Sequence, residues 1–142
     1  MHTLFLVDDN TVDQFIMMSN LKKNPIFENI RRFDSGKSII DHLLECKSRS
    51  AELPDVIFLD LNMPQFDGWD VLETLSNIYS SLVKKIAVYI ISASINKQDK
   101  IKAFSYPFVR NFFSKPINKD NFIIIASDIQ DFQSDPELEN SI

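Results

Sequence analysis

Short apolar segments alternate with longer amphipathic segments five times along this chain. The apolar segments have the length of strands, and in the segments that follow them apolar residues recur every three or four positions, as in helices. Because parallel neighbouring strands need a crossover of helix length, this alternation predicts a parallel sheet covered by helices on both faces. Right-handed crossovers make the predicted fold a doubly wound α/β domain with a five-stranded parallel sheet and five helices.

Apolar runs, capping residues and turn residues set the limits of these elements. The predicted strands are Leu4–Val7, Asn29–Phe33, Val56–Leu59, Ile86–Ile91 and Phe112–Ser114. The predicted helices begin at Asn10 or Thr11, Ser35, Trp69, Asn96 and Asn118. At helical spacing, the first helix carries Val12, Phe15, Ile16 and Ser19 on one face, and the second carries Ile39, Ile40, Leu43 and Leu44.

The length of 142 residues corresponds to one domain. We expect residues 1–132 to form this domain and residues 133–142, which include Pro136 and three acidic residues, to form a flexible tail. We therefore expect no separate output domain within this length.

Charge and composition exclude several classes of function. Twenty acidic and fifteen basic residues give a net charge of −5, which argues against nucleic-acid binding. The two glycines cannot build a dinucleotide or P-loop phosphate site, because such sites need several closely spaced glycines. No apolar run approaches the ~20 residues that cross a bilayer, and the single Cys46 cannot form an internal disulfide. We therefore expect a cytoplasmic protein that binds neither nucleic acid nor membrane.

Polar side chains stand where predicted strands end. Asp8 and Asp9 follow the first strand, Asp60 the third, Ser92 the fourth and Lys115 the fifth. The carboxyl ends of neighbouring strands in a doubly wound sheet converge at one edge, so these side chains are expected to meet. At an effective dielectric constant of about 20, each close carboxylate pair costs on the order of 4 kcal/mol. Mg²⁺, which prefers oxygen ligands, would neutralise the three carboxylates together with the Lys115 ammonium.

The ordered motifs also carry a family resemblance. They are Asp8-Asp9, Asp60-Leu61-Asn62-Met63-Pro64 with Gly68, Ser92-Ala93 and Lys115-Pro116. In order and spacing they resemble the receiver domain of two-component response regulators, over about residues 3–132. The resemblance is to single-domain regulators of the chemotaxis type, and it implies the flavodoxin-like strand order 2-1-3-4-5.

The resemblance implies a phosphoacceptor and a metal site. Asp60 would attack the phosphorus of a phosphohistidine or of a small phosphodonor and become an acyl phosphate. Asp9, Asp60 and the backbone carbonyl of Asn62 would bind Mg²⁺ directly, and Asp8 would bind it mainly through water.

Further roles are implied for the remaining motif residues. Lys115 and Ser92 would contact the phosphoryl oxygens, and the peptide bond after Lys115 would be cis, a permissible isomer before proline. Phe112 stands at the position of an aromatic switch, although an ordinary core position stays open because the chain has twelve phenylalanines. Asn62 and Ser94 would flank the path of the water that hydrolyses the acyl phosphate.

The implied partners are proteins. A sensor histidine kinase or a histidine phosphotransfer protein would supply the phosphoryl group, and an unknown downstream protein would read it. The expected output surface is the last β-α-β-α region, whose aromatic residues include Phe104, Tyr106, Phe108 and Phe112.

Two other functions stay open at this point. A Mg²⁺-dependent aspartyl-phosphate phosphatase also uses a strand-end aspartate, but it needs an acidic residue two positions later, where Asn62 stands. A non-phosphorylated interaction module is disfavoured because the full set of acidic, hydroxyl and lysine residues is present. We therefore expect a phosphoacceptor limited to self-phosphorylation and autodephosphorylation, and not an enzyme.

Overall fold

A five-stranded parallel sheet organises the computed structural model, which describes residues 2–93 and 96–134. The strands are β1 Thr3–Val7, β2 Asn29–Phe33, β3 Val56–Leu59, β4 Ala87–Ser92 and β5 Val109–Ser114. Their order in the sheet is β2-β1-β3-β4-β5. The helices are α1 Thr11–Lys23, α2 Gly36–Glu45, α3 Gly68–Ile78, α4 Lys97–Phe104 and α5 Lys119–Gln133, and short 3₁₀ turns lie at Ser50–Glu52 and Tyr79–Ser81. The predicted fold class and strand order are confirmed.

Two apolar layers enclose the sheet. In β1, Leu4 and Leu6 point into a layer with residues of α1 and α5, whereas Phe5 and Val7 point into a layer with residues of α2 and α3. This alternation follows from the two-residue period of a strand. Every residue of β3 and β4 is buried, because both faces of these central strands are covered. That burial explains why the sequence shows continuous apolar runs instead of polar–apolar alternation at these strands.

Strand β5 is longer than its sequence signal. It begins at Val109 and not at Phe112, and Val109 pairs with Val88 of β4. An irregularity in register follows directly, between Val88 and Tyr89. Because Arg110 and Asn111 are polar, the apolar pattern did not indicate the first half of the strand.

Helix α1 buries a different side from the one its apolar residues suggest. Its buried residues are Gln14, Met17 and Leu21. In contrast, Val12, Phe15 and Ile16 are 64%, 73% and 41% exposed. The Gln14 side-chain amide donates to the backbone carbonyls of Asp8 and Phe33, so polar contacts with the strand ends help to set the rotation of this helix. Leu44 of α2 is likewise exposed.

Helix α5 is the last element of the described part of the chain. Gln133 is the last residue of α5, and the rest of the expected tail beyond Ser134 lies outside the described residues. Within residues 2–93 and 96–134, no helix combines the length and hydropathy that a bilayer crossing requires.

Candidate functional site

The carboxyl ends of β1, β3, β4 and β5 bring together the polar residues that the sequence places there. Asp8 and Asp9 follow β1, Asp60 follows β3, Ser92 ends β4 and Lys115 follows β5. Parallel pairing of β1 with β3, β3 with β4, and β4 with β5 aligns these ends along one edge. The expected convergence is therefore present in the structure.

The Lys115 ammonium lies at the centre of this cluster. Its Nζ donates to Asp8 Oδ2 at 2.7 Å, to Asp13 Oδ2 at 2.9 Å and to Asp60 Oδ2 at 3.1 Å. The side chains of Asp8 and Asp60 are only 5% and 6% exposed. Although burial opposes the charge of Lys115, hydrogen bonds to Asp8, Asp13 and Asp60 raise the pKa of its ammonium above the ordinary value. Lys115 is therefore held as a cation.

Asp13 is the member of this cluster that the motifs did not indicate. It lies in the first turn of α1, where its backbone N–H donates to the Asn10 side chain at 2.9 Å. The available signal was its position in the first turn of a helix that begins directly after Asp8 and Asp9. Acidic residues are common there because they cap helices and interact favourably with the helix dipole, so the position alone did not distinguish a site residue.

Burial disfavours the ionised form of the Asp60 carboxyl group. Burial raises its pKa, even though the backbone N–H of Asn62 donates to Oδ1 at 3.1 Å and Lys115 donates to Oδ2. The nearby Asp8 charge raises the pKa further. A raised carboxyl pKa means that folding stability falls as pH rises from the unfolded-state pKa to the folded-state pKa of Asp60. Additional positive charge at this position would relieve that cost.

Three carboxylates meet the requirements of a hard divalent cation. One oxygen from each of Asp8, Asp9 and Asp60 lies within 4.8 Å of the others. Asp8 and Asp60 are buried and Asp9 is exposed, so the cluster is open to solvent on one side. Mg²⁺ favours carboxylate oxygens and retains several waters, and these residues fit that preference.

Ser92 and Asn62 are joined by a side-chain contact. The Asn62 amide nitrogen donates to Ser92 Oγ at 3.2 Å, and Ser92 is fully buried. The Ser92 backbone carbonyl accepts the backbone N–H of Lys115 at 3.0 Å, and the Lys115–Pro116 peptide bond is cis, as expected. This position of the Asn62 side chain was not expected from the sequence.

A close approach of backbone segments shapes the loop after Asp60. The Gly68 N–H donates to the Leu61 carbonyl at 3.0 Å. A Cβ at Gly68 would lie 2.6 Å from the Asp60 carbonyl oxygen and 2.6 Å from Leu61 Cα, closer than real contacts allow. Only glycine therefore lets α3 begin this close to the residue that follows β3.

Phe112 lies beside α4 and not among the acidic residues. Its half-buried ring stacks on Phe104 with centroids 6.2 Å apart and planes 9° apart. Lys100 Nζ lies 5.0 Å from the Phe112 centroid. Ser94 lies outside the described residues.

A cavity of about 260 Å³ adjoins the site. Its apolar lining includes Ile16, Met17, Phe58, Ile91, Pro116 and Ile117, and its polar lining includes Asp60 and Lys115. The cavity therefore lies between α1 and the cluster of charges.

Comparison with known proteins reveals extended similarity. The response regulator receiver domain family matches residues 4–127. The probable methanogenesis regulatory protein FilR2 of Methanothrix harundinacea is 24% identical over 91% of this chain and 81% of its own length. The transcriptional regulatory protein GlnL of Bacillus subtilis is 28% identical over 97% of this chain, and the cell cycle response regulator CtrA of Brucella abortus is 30% identical over 87%. This chain spans only 40% of GlnL and 47% of CtrA.

Solved structures share the fold. A two-component response regulator from Cytophaga hutchinsonii superposes with a TM-score of 0.82 at 23% identity, covering 91% of this chain and 96% of that one. The bacteriophytochrome response regulator AtBRR gives a TM-score of 0.71 at 26% identity, with 91% of each chain covered. The Mn²⁺-bound form of response regulator Rcp1 gives 0.66 at 25% identity, covering 94% of this chain and 96% of that one.

Proposed function

The chain belongs to the response regulator receiver domain family of two-component signalling, and on that premise we propose that Asp60 accepts a phosphoryl group from a histidine kinase or a histidine phosphotransfer protein. The observation that carries this proposal is the contact of the buried Asp60 carboxylate with the Lys115 ammonium, at 3.1 Å, beside Asp8 and Asp9. In the proposed transfer, an Asp60 oxygen forms a bond to phosphorus. The phosphorus–nitrogen bond of the phosphohistidine breaks, and its electron pair returns to the imidazole.

Mg²⁺ is the proposed cofactor. Asp9, Asp60 and the backbone carbonyl of Asn62 would hold it directly, and Asp8 would hold it mainly through water. When bound, the ion supplies positive charge that stabilises the phosphoryl oxygens during transfer. The similar protein Rcp1, whose structure contains Mn²⁺, and the convergent carboxylates of this chain support the assignment.

The protein's own groups provide the remaining stabilisation. Lys115 is already held as a cation beside Asp60, so it can contact a phosphoryl oxygen with little reorganisation. The Ser92 hydroxyl accepts a bond from Asn62 and still has its own proton to donate to a phosphoryl oxygen. We propose that these two contacts hold the acyl phosphate.

We propose phosphorylation-dependent protein binding as the output of the domain formed by residues 1–132, and a cytoplasmic location for this domain. Receiver domains are signalling modules and not classical enzymes, so the signal must leave through a changed surface. Phe112 is the proposed switch residue, because it lies on β5 next to β4, which ends at Ser92, and its ring contacts α4.

The direct test is incubation of the wild-type protein with acetyl phosphate and Mg²⁺, followed by measurement of intact mass. We expect one added phosphoryl group that is lost in hydroxylamine, because an acyl phosphate is an activated mixed anhydride. Chelation of the metal with EDTA should prevent labelling. Equal labelling in EDTA would contradict the Mg²⁺ assignment, and failure of acetyl phosphate and of phosphorylated histidine donors alike would contradict the phosphoacceptor function.

The surface that meets the phosphodonor protein follows from the position of Asp60. A phosphohistidine must reach the edge of the sheet where α1 begins, and there Val12, Phe15 and Ile16 form an exposed apolar patch. Ile16 also lines the cavity that adjoins Asp60. Exposed apolar patches beside reactive groups are typical of protein contact surfaces. We infer that the donor protein buries this patch.

Phe15→Ala should therefore slow phosphotransfer from a protein donor at least about fivefold, since loss of an anchoring aromatic side chain commonly costs more than about 1 kcal/mol. Labelling by acetyl phosphate should not change. The rates can be compared with any histidine phosphotransfer protein that labels the wild type. Val83→Ala is the control, because Val83 is 55% exposed but lies before β4, at the opposite edge of the sheet. Unchanged transfer from the protein donor would exclude the patch as a docking surface.

A further inference from the structure

Asp13 differs from the other carboxylates that contact Lys115. Its side chain is 35% exposed, compared with 5% for Asp8 and 6% for Asp60. It comes from α1 and not from a strand end, and the proposed metal ligands do not include it. Its Oδ2 nevertheless lies 2.9 Å from Lys115 Nζ, within hydrogen-bonding distance.

The Lys115 ammonium has no spare donor in this arrangement. An ammonium carries three N–H groups, and Nζ contacts three carboxylates at 2.7, 2.9 and 3.1 Å. After phosphorylation of Asp60, the Lys115 N–H group that contacts Asp60 would donate to a phosphoryl oxygen instead. Asp13 would keep its own contact with Lys115. Its negative charge would therefore stay close to the incoming phosphoryl group.

We propose that Asp13 is a positioning residue that shares the Lys115 ammonium and restrains phosphorylation of Asp60. This inference rests on the proposed phosphoacceptor function. Asp8 and Asp60 still hold Lys115 if the Asp13 charge is removed, so the ammonium stays in place and presents more of its positive charge to the phosphodonor. Asp13 thus sets how strongly the site attracts an anionic donor.

Asp13→Asn removes the charge while conserving the size of the side chain and an oxygen acceptor. We expect this variant to react about fivefold faster than wild type with acetyl phosphate, a dianion at neutral pH, which is the effect of one unit charge a few Å away in a solvated site. The gain should be smaller with phosphoramidate, which carries less net negative charge. The ratio of variant to wild-type rates should approach one at high salt, because Asp13 is partly exposed and salt screens its charge.

Two further variants separate this effect from its alternatives. Asp13→Glu keeps the charge and should react at a rate near that of wild type. Asp34→Asn removes an exposed charge that follows β2 at the same edge of the sheet, and it should have little effect because Asp34 does not contact Lys115. Melting curves of all variants show whether each one is folded.

The outcomes distinguish this inference from the proposed function. Labelling of wild type and Asp13→Asn at equal rates, with both donors and at all salt concentrations, would overturn the role of Asp13 and leave the phosphoacceptor function intact. A slower Asp13→Asn variant would also overturn it, because Asp13 would then assist the reaction. Absence of labelling in every folded variant and in wild type, with these donors and with phosphorylated histidine donors alike, would contradict the proposed function itself.

Discussion

Asp60→Asn is expected to abolish phosphorylation completely. An amide oxygen is a poor nucleophile, whereas the ionised carboxylate can attack phosphorus directly. The substitution conserves shape, and the amide oxygen can still accept a hydrogen bond from Lys115, which lies 3.1 Å from Asp60 Oδ2. Because burial raises the pKa of Asp60, loss of its charge should leave the melting temperature equal to or above that of wild type. Intact mass after incubation with acetyl phosphate and Mg²⁺ measures the first effect, and calorimetry measures the second.

Asp55→Asn provides a matched control at the other end of the same strand. Asp55 is also buried and precedes β3, where it accepts the Thr3 N–H at 2.7 Å and pairs with Lys84 at 3.1 Å. Its substitution should lower stability by breaking the ion pair, yet leave labelling at one phosphoryl group per folded molecule. Full labelling of Asp60→Asn would remove Asp60 from the central role.

Phe112→Ala is expected to leave phosphorylation of Asp60 intact while uncoupling it from α4. Ser92 pairs with Ser114, and Phe112 pairs with Ile90, so the two residues belong to the same pair of strands. A phosphoryl oxygen that accepts the Ser92 hydroxyl proton would draw the hydroxyl inward and give the Phe112 ring space to turn. Turning of the Phe112 ring would break its stack on Phe104 and its contact with Lys100. Phosphorylation of Asp60 would thus shift α4 from one packing to another. Without the ring, that link is lost.

Chemical shifts measure this coupling. Addition of beryllofluoride with Mg²⁺, a phosphoryl analogue, should shift backbone signals in β4, α4 and β5 of the wild type. In Phe112→Ala the signals around Asp60 should still shift, and the response of α4 should be largely lost. Ile123→Ala, which shortens an exposed side chain on α5, should respond like wild type. A full α4 response in Phe112→Ala would show that the signal travels by another route.

Much of the fold could be predicted because its signals are local. The predicted limits of β2 and β3 matched the observed strands at both ends, and Asn10, Ser35, Asn96 and Asn118 cap the helices that they were expected to begin. Strand β5 was underestimated because Arg110 and Asn111 interrupt its apolar pattern, and only pairing with β4 identifies its first half.

The sequence also determined which polar residues meet at the carboxyl ends of the strands. These are Asp8, Asp9, Asp60, Ser92 and Lys115. Each residue ends or follows an apolar run, and a parallel sheet places all such ends at one edge, so topology alone brings them together. Neither side-chain conformations nor exact distances were needed for that step.

Only the tertiary structure decided which further residues join the site and which surfaces stay exposed. Asp13 meets Lys115 across 102 positions of sequence, and the contact depends on how α1 is rotated about its axis. The same rotation buries Gln14 and exposes Phe15, against the apolar pattern of the helix. Helix periodicity identifies the residues that share a face, but packing against the sheet and the hydrogen bonds at strand ends decide which face is buried. Those contacts are formed by residues distant in sequence, so the local pattern does not contain them.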